Sequence, residues 1–329
     1  MRLRTYYTGM ADSPARDHFA PADALRAIAD RIRRTPVMES RSLNRLTGLE
    51  LAFKCEQLQR TGSFKFRGAS FAVSQLPADC PGVATHSSGN HGAALAAAAA
   101  ARGLTADIVM PDNAVADKVE AVRAYGGTVH FCEPTQAARE AGLETLLAAG
   151  RVPIPPYDHD HVIAGQGTCA VELLAQRPDL DDVVAPIGGG GLLAGIVLAA
   201  AQHAPHVRVT GGEPAGADDA ARSLAAGRRV TEHRPETIAD GLRALIGRRN
   251  FTILADHGVN VLTVTERQII DAMTLVWRHL KQVIEPSCAV PLAAVLANRD
   301  RFRGRRVGIV LTGGNIAVEQ MLGRLEKTS

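Results

Sequence analysis

Lys65 stands in Thr61-Gly62-Ser63-Phe64-Lys65-Phe66-Arg67-Gly68-Ala69, between two phenylalanines and bracketed by Gly62 and Gly68. Apolar neighbours disfavour the ammonium form, so they lower a lysine's pKa and leave a neutral amine as nucleophile or base. A neutral amine is what a lysine needs to form a Schiff base with a carbonyl cofactor. A lysine snorkelling from a helix start accounts for this segment equally well when it is read alone. Three distant glycine-rich segments decide between the two.

The first is Gly188-Gly189-Gly190-Gly191-Leu192-Leu193-Ala194-Gly195, which follows an apolar strand pattern and opens a helical one. Backbone N–H groups at such a helix start converge on an anion, and the helix dipole favours its charge. Four consecutive glycines exceed what a turn requires and let the backbone approach a phosphate with no Cβ in the way. Gly189, Gly191 and Ala194 also satisfy the loose G-x-G-x-x-A dinucleotide fingerprint, and Glu213 falls near the place of a ribose-binding acid. An NAD-dependent dehydrogenase is therefore the rival at this point. No Lys-Ser/Thr pair follows the glycines, which excludes a nucleotide triphosphatase P-loop.

The second segment is His86-Ser87-Ser88-Gly89-Asn90-His91-Gly92-Ala93. Helix capping explains one of its polar residues. It does not explain two serines, an asparagine and a histidine around two glycines, which together make an anion cradle suited to a carboxylate. The third, Leu311-Thr312-Gly313-Gly314-Asn315, is another strand end and reads alone as a capped turn.

These segments must be held by an α/β framework. Apolar runs predict strands over Leu51–Cys55, Val83–His86, Asp107–Met110, Thr128–Phe131, Val183–Pro186, Val207–Gly211, Val261–Val264 and Val307–Leu311. Helical patterns fill Pro21–Arg34, His91–Arg102, Asp117–Tyr125, Gln136–Ala149, Gln166–Gln176, Leu192–His203, Glu266–Lys281 and Pro291–Asn298. The alternation predicts two open, mainly parallel sheets with flanking helices. Residues 82–157 form a small domain ended by the proline-rich crossing Arg151–Tyr157, and 1–81 with 158–329 form a large one.

Composition removes other classes. The chain has 329 residues, 46% of them hydrophobic and 22% charged, as in a soluble globular protein. No apolar run reaches the roughly 18 residues of a membrane span. The longest, Ala93–Ala101, reads as a buried helix. Met1-Arg2-Leu3-Arg4 lacks a following apolar stretch, so no secretory signal is expected, and Thr5–His18 reads as a loose leader or a short packing arm. Basic residues number 37 against 34 acidic and are scattered, and aromatics are only 4%, so nucleic-acid binding is not expected. Cys55, Cys80, Cys132, Cys169 and Cys288 are far apart and odd in number, which argues against disulfides or zinc and for the cytoplasm.

Taken in order and spacing, the lysine segment, Ser87–Gly92, the tetraglycine loop and Thr312–Asn315 resemble the fold-type II pyridoxal-phosphate enzymes. The resemblance runs from Pro21 to Arg324. Gly165-Gln166-Gly167-Thr168, Pro235–Gly241 and Glu285-Pro286-Ser287 make the chain similar to the serine/threonine dehydratase and serine racemase branch. The resemblance implies that Lys65 is both Schiff-base lysine and base, with Phe64 packing on the cofactor ring. It implies further that Asn90 meets the phenolic oxygen, Gly188, Gly189, Gly190 and Gly191 the phosphate, and Thr312 the pyridine nitrogen. Ser87, Ser88, Asn90 and His91 match the loop for the substrate carboxylate, and Ser88 matches the racemase's second proton carrier. Glu213, Ala217 and Asp219 match a divalent-cation site suited to Mg²⁺, Ca²⁺ or Mn²⁺. Arg139 falls where an arginine can reach a second substrate carboxylate, although an exposed helix arginine explains it as well. Cys288 departs from the pattern, which has glycine or alanine there.

The expected activity is loss of ammonia from a β-hydroxy amino acid, L-serine or L-threonine first, giving a 2-oxo acid. The alternatives are a serine racemase, a 3-hydroxyaspartate ammonia-lyase and, more remotely, the dehydrogenase or a non-catalytic binding protein. A homodimer that binds neither nucleic acid nor membrane is expected. The end at Ser329 carries the expectation that no C-terminal regulatory domain provides feedback inhibition.

Overall fold

The computed structural model describes residues 20–317 together with Glu319 and Gly323; the leader Thr5–His18 lies outside them. Its strands are β1 (Val37–Glu39), β2 (Glu50–Cys55), β3 (Val83–His86), β4 (Ala106–Pro111) and β5 (Thr128–Cys132). They continue as β6 (Val152–Pro153), β7 (Asp182–Pro186), β8 (Arg208–Pro214), β9 (Asn260–Val264) and β10 (Arg306–Leu311). Two sheets result, one ordered β1-β2-β10-β7-β8-β9 and the other β5-β4-β3-β6. Every pairing is parallel except β1 with β2. Each predicted strand forms. Their unbroken apolar runs are explained by burial on both faces: β4 and β7 are buried throughout.

The helices that matter below are α1 (Pro21–Ile28), α2 (Arg41–Thr47), α3 (Lys65–Ser74), α4 (Asn90–Ala100), α5 (Ala116–Ala124) and α6 (Gln136–Ala148). After them come α7 (Asp160–Gln176), α8 (Gly191–His203), α9 (Asp219–Ala226), α10 (Arg248–Asp256), α11 (Glu266–Leu280) and α12 (Pro286–Ala297). Alternate residues of the larger sheet go to opposite cores, as the pleat requires. Phe53, Val184, Ile309 and Leu311 pack with α11 and α12, whereas Ala52, Val183, Ala185 and Val310 pack with α7, α8 and α10. A third core lies between α1, α3, α4 and β4, and there the alanine-rich stretch is a buried helix as expected.

Several boundaries differ from the sequence expectation. The first helix stops at Ile28, and the backbone of Arg33 instead bonds the Gln59 amide at 2.9 and 2.7 Å. α7 begins at Asp160 rather than Gln166, through two glycines whose missing side chains let other helices close in. A Cβ on Gly195 would stand 2.3 Å from the Ile163 carbonyl oxygen, and one on Gly167 would stand 2.5 Å from that of Gly195. α7 and α8 therefore touch backbone to backbone. No helix of the described residues is long and apolar enough to cross a membrane.

This contact generates a stability test. Overpacking of a filled core costs about 1–3 kcal/mol, so Gly195→Ala should lower the unfolding free energy by that much, read as a lower denaturant midpoint at an unchanged slope. An unchanged midpoint in urea unfolding would mean that α7 and α8 separate freely.

Candidate active site

Lys65 is the first residue of α3, entered through a tight turn in which Thr61 and Gly62 have φ of 61° and 74°. That turn aims the amine away from the helix. Its Nζ donates to the Pro156 carbonyl oxygen at 2.6 Å and lies 5.1 Å from the centre of the Phe64 ring. The residue as a whole is half-buried, but the amine end is enclosed. That burial pushes its pKa down to about 8, against the pull of the Glu285 carboxylate. Phe66, on the other side, belongs to the core with α4.

The C-terminal ends of neighbouring strands β2, β10 and β7 bring three distant segments together. The Phe64 N–H donates to Thr312 O at 3.0 Å and the Gly314 N–H to Gly62 O at 3.0 Å. The Asn315 amide donates to Thr61 O and Asn90 Oδ1, each at 2.8 Å. Asn90 in turn donates to both carboxylate oxygens of Glu285, at 2.9 and 3.1 Å. Glu285 is buried at the N-cap of α12, and its N–H bonds Gly313 O at 3.1 Å. Burial, with Asp240 nearby, pushes its carboxyl up to about 7, while Asn90 opposes the rise. Sequence reasoning met Glu285 only as a motif residue before a proline, a pattern that reads as a helix start. Thr312 is buried beside Cys288, whose thiol burial pushes up, so the small buried hydrophobe expected of Cys288 is what stands there.

The second cradle joins β3 to α4. Ser87 Oγ accepts from the Gly89 N–H at 3.3 Å, and Ser88 beside it is half-buried. His91 is turned inward: its Nε2 donates to Ile154 O at 2.8 Å, and Nδ1 is buried without a hydrogen-bond partner. Burial, with Lys65 near, takes its pKa down to about 3, so the ring is neutral. Arg139 lies on α6, half-buried, with Nε donating to Thr135 O at 3.3 Å. Burial and then the Arg139 charge lower the pKa of His86, with Glu140 opposing them.

The tetraglycine segment turns from β7 into α8, with Gly190 at φ +87° as the N-cap. A Cβ on Gly189 would lie 2.4 Å from the Tyr157 ring, and one on Gly188 would lie 2.9 Å from the Leu242 Cα. Gly189 O accepts from the Gly247 N–H at 3.0 Å and from Asn250 Nδ2 at 2.6 Å. Tyr157 and Asn250 were not foreseen; the first lies in a proline-rich stretch that reads as a linker.

Glu213 and Asp219 are both wholly buried. Glu213 accepts from the N–H groups of Ala220 and Ala221 at 3.0 and 2.8 Å, and Asp219 Oδ2 accepts from Ile246 at 2.8 Å. Asp219 Oδ1 has no hydrogen-bond partner and stands 3.3 Å from His233 Nδ1. Burial pushes Glu213 up to about 8 and raises Asp219. Ala217 lies in the turn between them. Among the described residues no three His, Cys, Asp or Glu side chains are grouped to hold an ion.

The family model described as "Pyridoxal-phosphate dependent enzyme" matches residues 28–313. The chain belongs to that family. It is a fold-type II member: it superimposes on maize serine racemase with a TM-score of 0.90 at 40% identity, covering 95% of this chain and 98% of that one. It is 46% identical over 297 residues to a β-hydroxyaspartate dehydratase of Paracoccus denitrificans, covering 89% of this chain and 94% of that one. It is 47% identical over 293 residues to a serine racemase of Arabidopsis thaliana, covering 87% and 88%. The dinucleotide reading of Gly189–Ala194 is thereby corrected: the glycine turn belongs to a pyridoxal-phosphate family, and Glu213 accepts from the start of α9.

The residues fit a pyridoxal phosphate. The turn after β7 is one that any side chain would fill, and an amine of lowered pKa stands at the start of α3. The two titrations are linked with a definite sign. When Lys65 titrates near pH 8, Glu285 is already largely ionised and its charge favours the ammonium. In the cofactor-free protein, Glu285→Gln should move the midpoint of Lys65 modification by an amine reagent below about 8. Glu285 itself has a raised pKa, so its stabilising contribution is whole below its ordinary 4.5 and fades as pH rises through about 7. The same variant should flatten the stability profile in that window, and a profile that keeps the wild-type slope would contradict the assignment.

Proposed function

We propose that the protein removes ammonia from a β-hydroxy amino acid and that 3-hydroxyaspartate is its preferred substrate, ahead of L-serine and L-threonine. The enclosed, low-pKa amine of Lys65 carries the reading. Pyridoxal 5'-phosphate supplies the electron sink that stabilises negative charge at the substrate Cα. Lys65 tethers it and takes the α-proton, and the β-hydroxyl leaves as water. The unsaturated amino acid tautomerises to an imine, whose hydrolysis gives the 2-oxo acid and ammonia. Phe64 would pack against the cofactor's ring, Asn90 would meet its phenolic oxygen, and Gly188, Gly189, Gly190 and Gly191 would hold its phosphate. Thr312 would offer the pyridine nitrogen a hydroxyl in place of a carboxylate, a partner that would leave the electron sink weaker and suit elimination.

Ser87, Ser88 and Asn90 cradle the α-carboxylate, with His91 fixing the loop from behind through Ile154. Arg139 supports the choice of a second carboxylate: among the described residues it makes no ion pair, yet its charge reaches His86 at the root of the loop. Likeness to a β-hydroxyaspartate dehydratase supports the same choice. Residues 82–157 are the small domain that carries this cradle. A divalent cation held by Glu213, Asp219 and the Ala217 carbonyl would offset two buried carboxylates whose pKa values are raised. The five cysteines, all free, suit a cytoplasmic enzyme, and a homodimer is proposed with it.

A second reading, racemisation of serine, is favoured by Ser88 and by likeness to serine racemases. One assay separates the readings: ammonia, oxo acid and enantiomer ratio from both 3-hydroxyaspartate diastereomers, L- and D-serine and L-threonine. Lys65→Ala should abolish turnover of all of them. Arg139→Ala should lower kcat/KM for 3-hydroxyaspartate by roughly 10- to 100-fold, the worth of a charged hydrogen bond, and leave serine nearly unchanged. Equal losses on both substrates would sink the two-carboxylate choice. Ser88→Ala should suppress racemisation more than elimination.

A further inference from the structure

The crossing from β6 to α7 contains Asp158 in the left-handed region, at φ +41°. Side chains rarely adopt that conformation, although aspartate is among the more tolerant. Here it delivers a carboxylate to another element. Asp158 Oδ2 accepts from the Arg248 N–H at 3.0 Å and Oδ1 from the Arg249 N–H at 2.8 Å. These are the first N–H groups of α10, whose own N-cap, Gly247, has no side chain to bond them. A Cβ on Gly247 would stand 2.6 Å from Asp158 Cγ, so the glycine makes room for the incoming carboxylate.

The turn capped in this way acts on the tetraglycine loop. Gly247 N–H and Asn250 Nδ2 are the two donors to Gly189 O, at 3.0 and 2.6 Å. In a trans peptide the carbonyl and the next N–H point in opposite directions. Holding Gly189 O toward α10 therefore fixes the Gly190 N–H the other way. Tyr157, next to Asp158, closes the same loop, its ring 2.4 Å from where a Gly189 Cβ would be.

We propose that Asp158 is a positioning residue for the cofactor phosphate, acting through the start of α10 on the Gly189–Gly190 peptide. This rests on the reading of Gly188–Gly191 as the phosphate cradle. The test compares the affinity of the full-length protein for pyridoxal phosphate, for pyridoxal without its phosphate and for inorganic phosphate. Asp158→Ala should weaken pyridoxal phosphate and inorganic phosphate by about tenfold, the scale of a lost helix cap, and leave pyridoxal within about twofold. Asp158→Asn, which keeps an acceptor and tolerates the left-handed backbone, should recover most of the loss. Thr265→Ala, which removes the capping box of α11, serves as a control for instability: it should lower the melting temperature while leaving all three affinities unchanged. The ³¹P resonance of the bound phosphate should move in Asp158→Ala and not in Thr265→Ala. Equal weakening of pyridoxal and its phosphate, or no weakening of either, would overturn the role of Asp158. Gly189→Ala tests the cradle separately: if that variant still prefers pyridoxal phosphate to pyridoxal as the wild type does, the phosphate reading itself fails. If it loses the preference while Asp158→Ala keeps it, only the present inference fails.

Discussion

The position of Lys65 depends on a charge that lies two residues away and never sees solvent. Arg67 is fully buried, with Nε and Nη2 on Glu56 at 2.7 and 2.8 Å and Nη1 and Nη2 on Glu172 at 2.9 and 2.8 Å. Lys54, also buried, donates to Glu172 at 2.6 Å and to Thr35 O at 2.9 Å. Burial alone would lower the guanidinium's pKa; Glu56 and Glu172 more than offset that and raise it. Two cations and two carboxylates balance, and removing any one would leave an unpaired buried charge at a cost of about 3–5 kcal/mol. The network ties α3 to the exit of β2 through Glu56 and to α7 through Glu172. The first turn of α3 therefore cannot rotate, and the direction of the Lys65 amine is fixed by groups that take no part in its chemistry.

From that fixed point the site spreads through main chain as much as through side chains. Thr312 O receives the N–H of Phe64, Gly62 O that of Gly314, and Gly313 O that of Glu285. Side chains then close the circuit, Asn315 to Asn90 and Asn90 to Glu285. A carboxyl pushed to about 7 and an amine pushed to about 8 thus share one enclosure, and both change their proton content close to neutral pH. Burial is the first cause of each shift, so one enclosure moves both groups toward neutral pH.

Much of this was legible in the residues themselves. Strands β7 and β10 are apolar runs with glycines directly after them, and that juxtaposition marked two of the three edges of the site. The α3 helix was not legible: Lys65–Ser74 holds a glycine, two phenylalanines and two serines, a poor set of helix formers, and the buried Arg67 with packing on α1, α4 and α7 stabilises it. α7 was read too short because Gly165 and Gly167 weaken a helix taken alone, yet they are what lets α3 and α8 approach it. β1 and β6 are too short to show a period. Glu285 was invisible as a site residue because its significance lies in Asn90, far away in the chain, and no local pattern encodes that.

The crossing segment shows why a linker signal and a functional one can coincide. The Ile154 N–H still pairs with Ala84 O at 3.0 Å, but Pro155 and Pro156 carry no N–H, so the sheet cannot continue through them and their carbonyls are left seeking donors. Ile154 O takes the His91 ring, Pro156 O takes the Lys65 amine, and Asp158 then supplies acceptors to α10. Five successive residues thereby reach the start of α4, the Lys65 amine and the start of α10. The bond from Lys65 to Pro156 O also bears on the state of the amine. A carbonyl oxygen can only accept, so it favours the states in which Lys65 carries hydrogen. A proline-rich stretch is well suited to hold such an acceptor still, because its fixed φ angles leave the carbonyl little freedom to turn away.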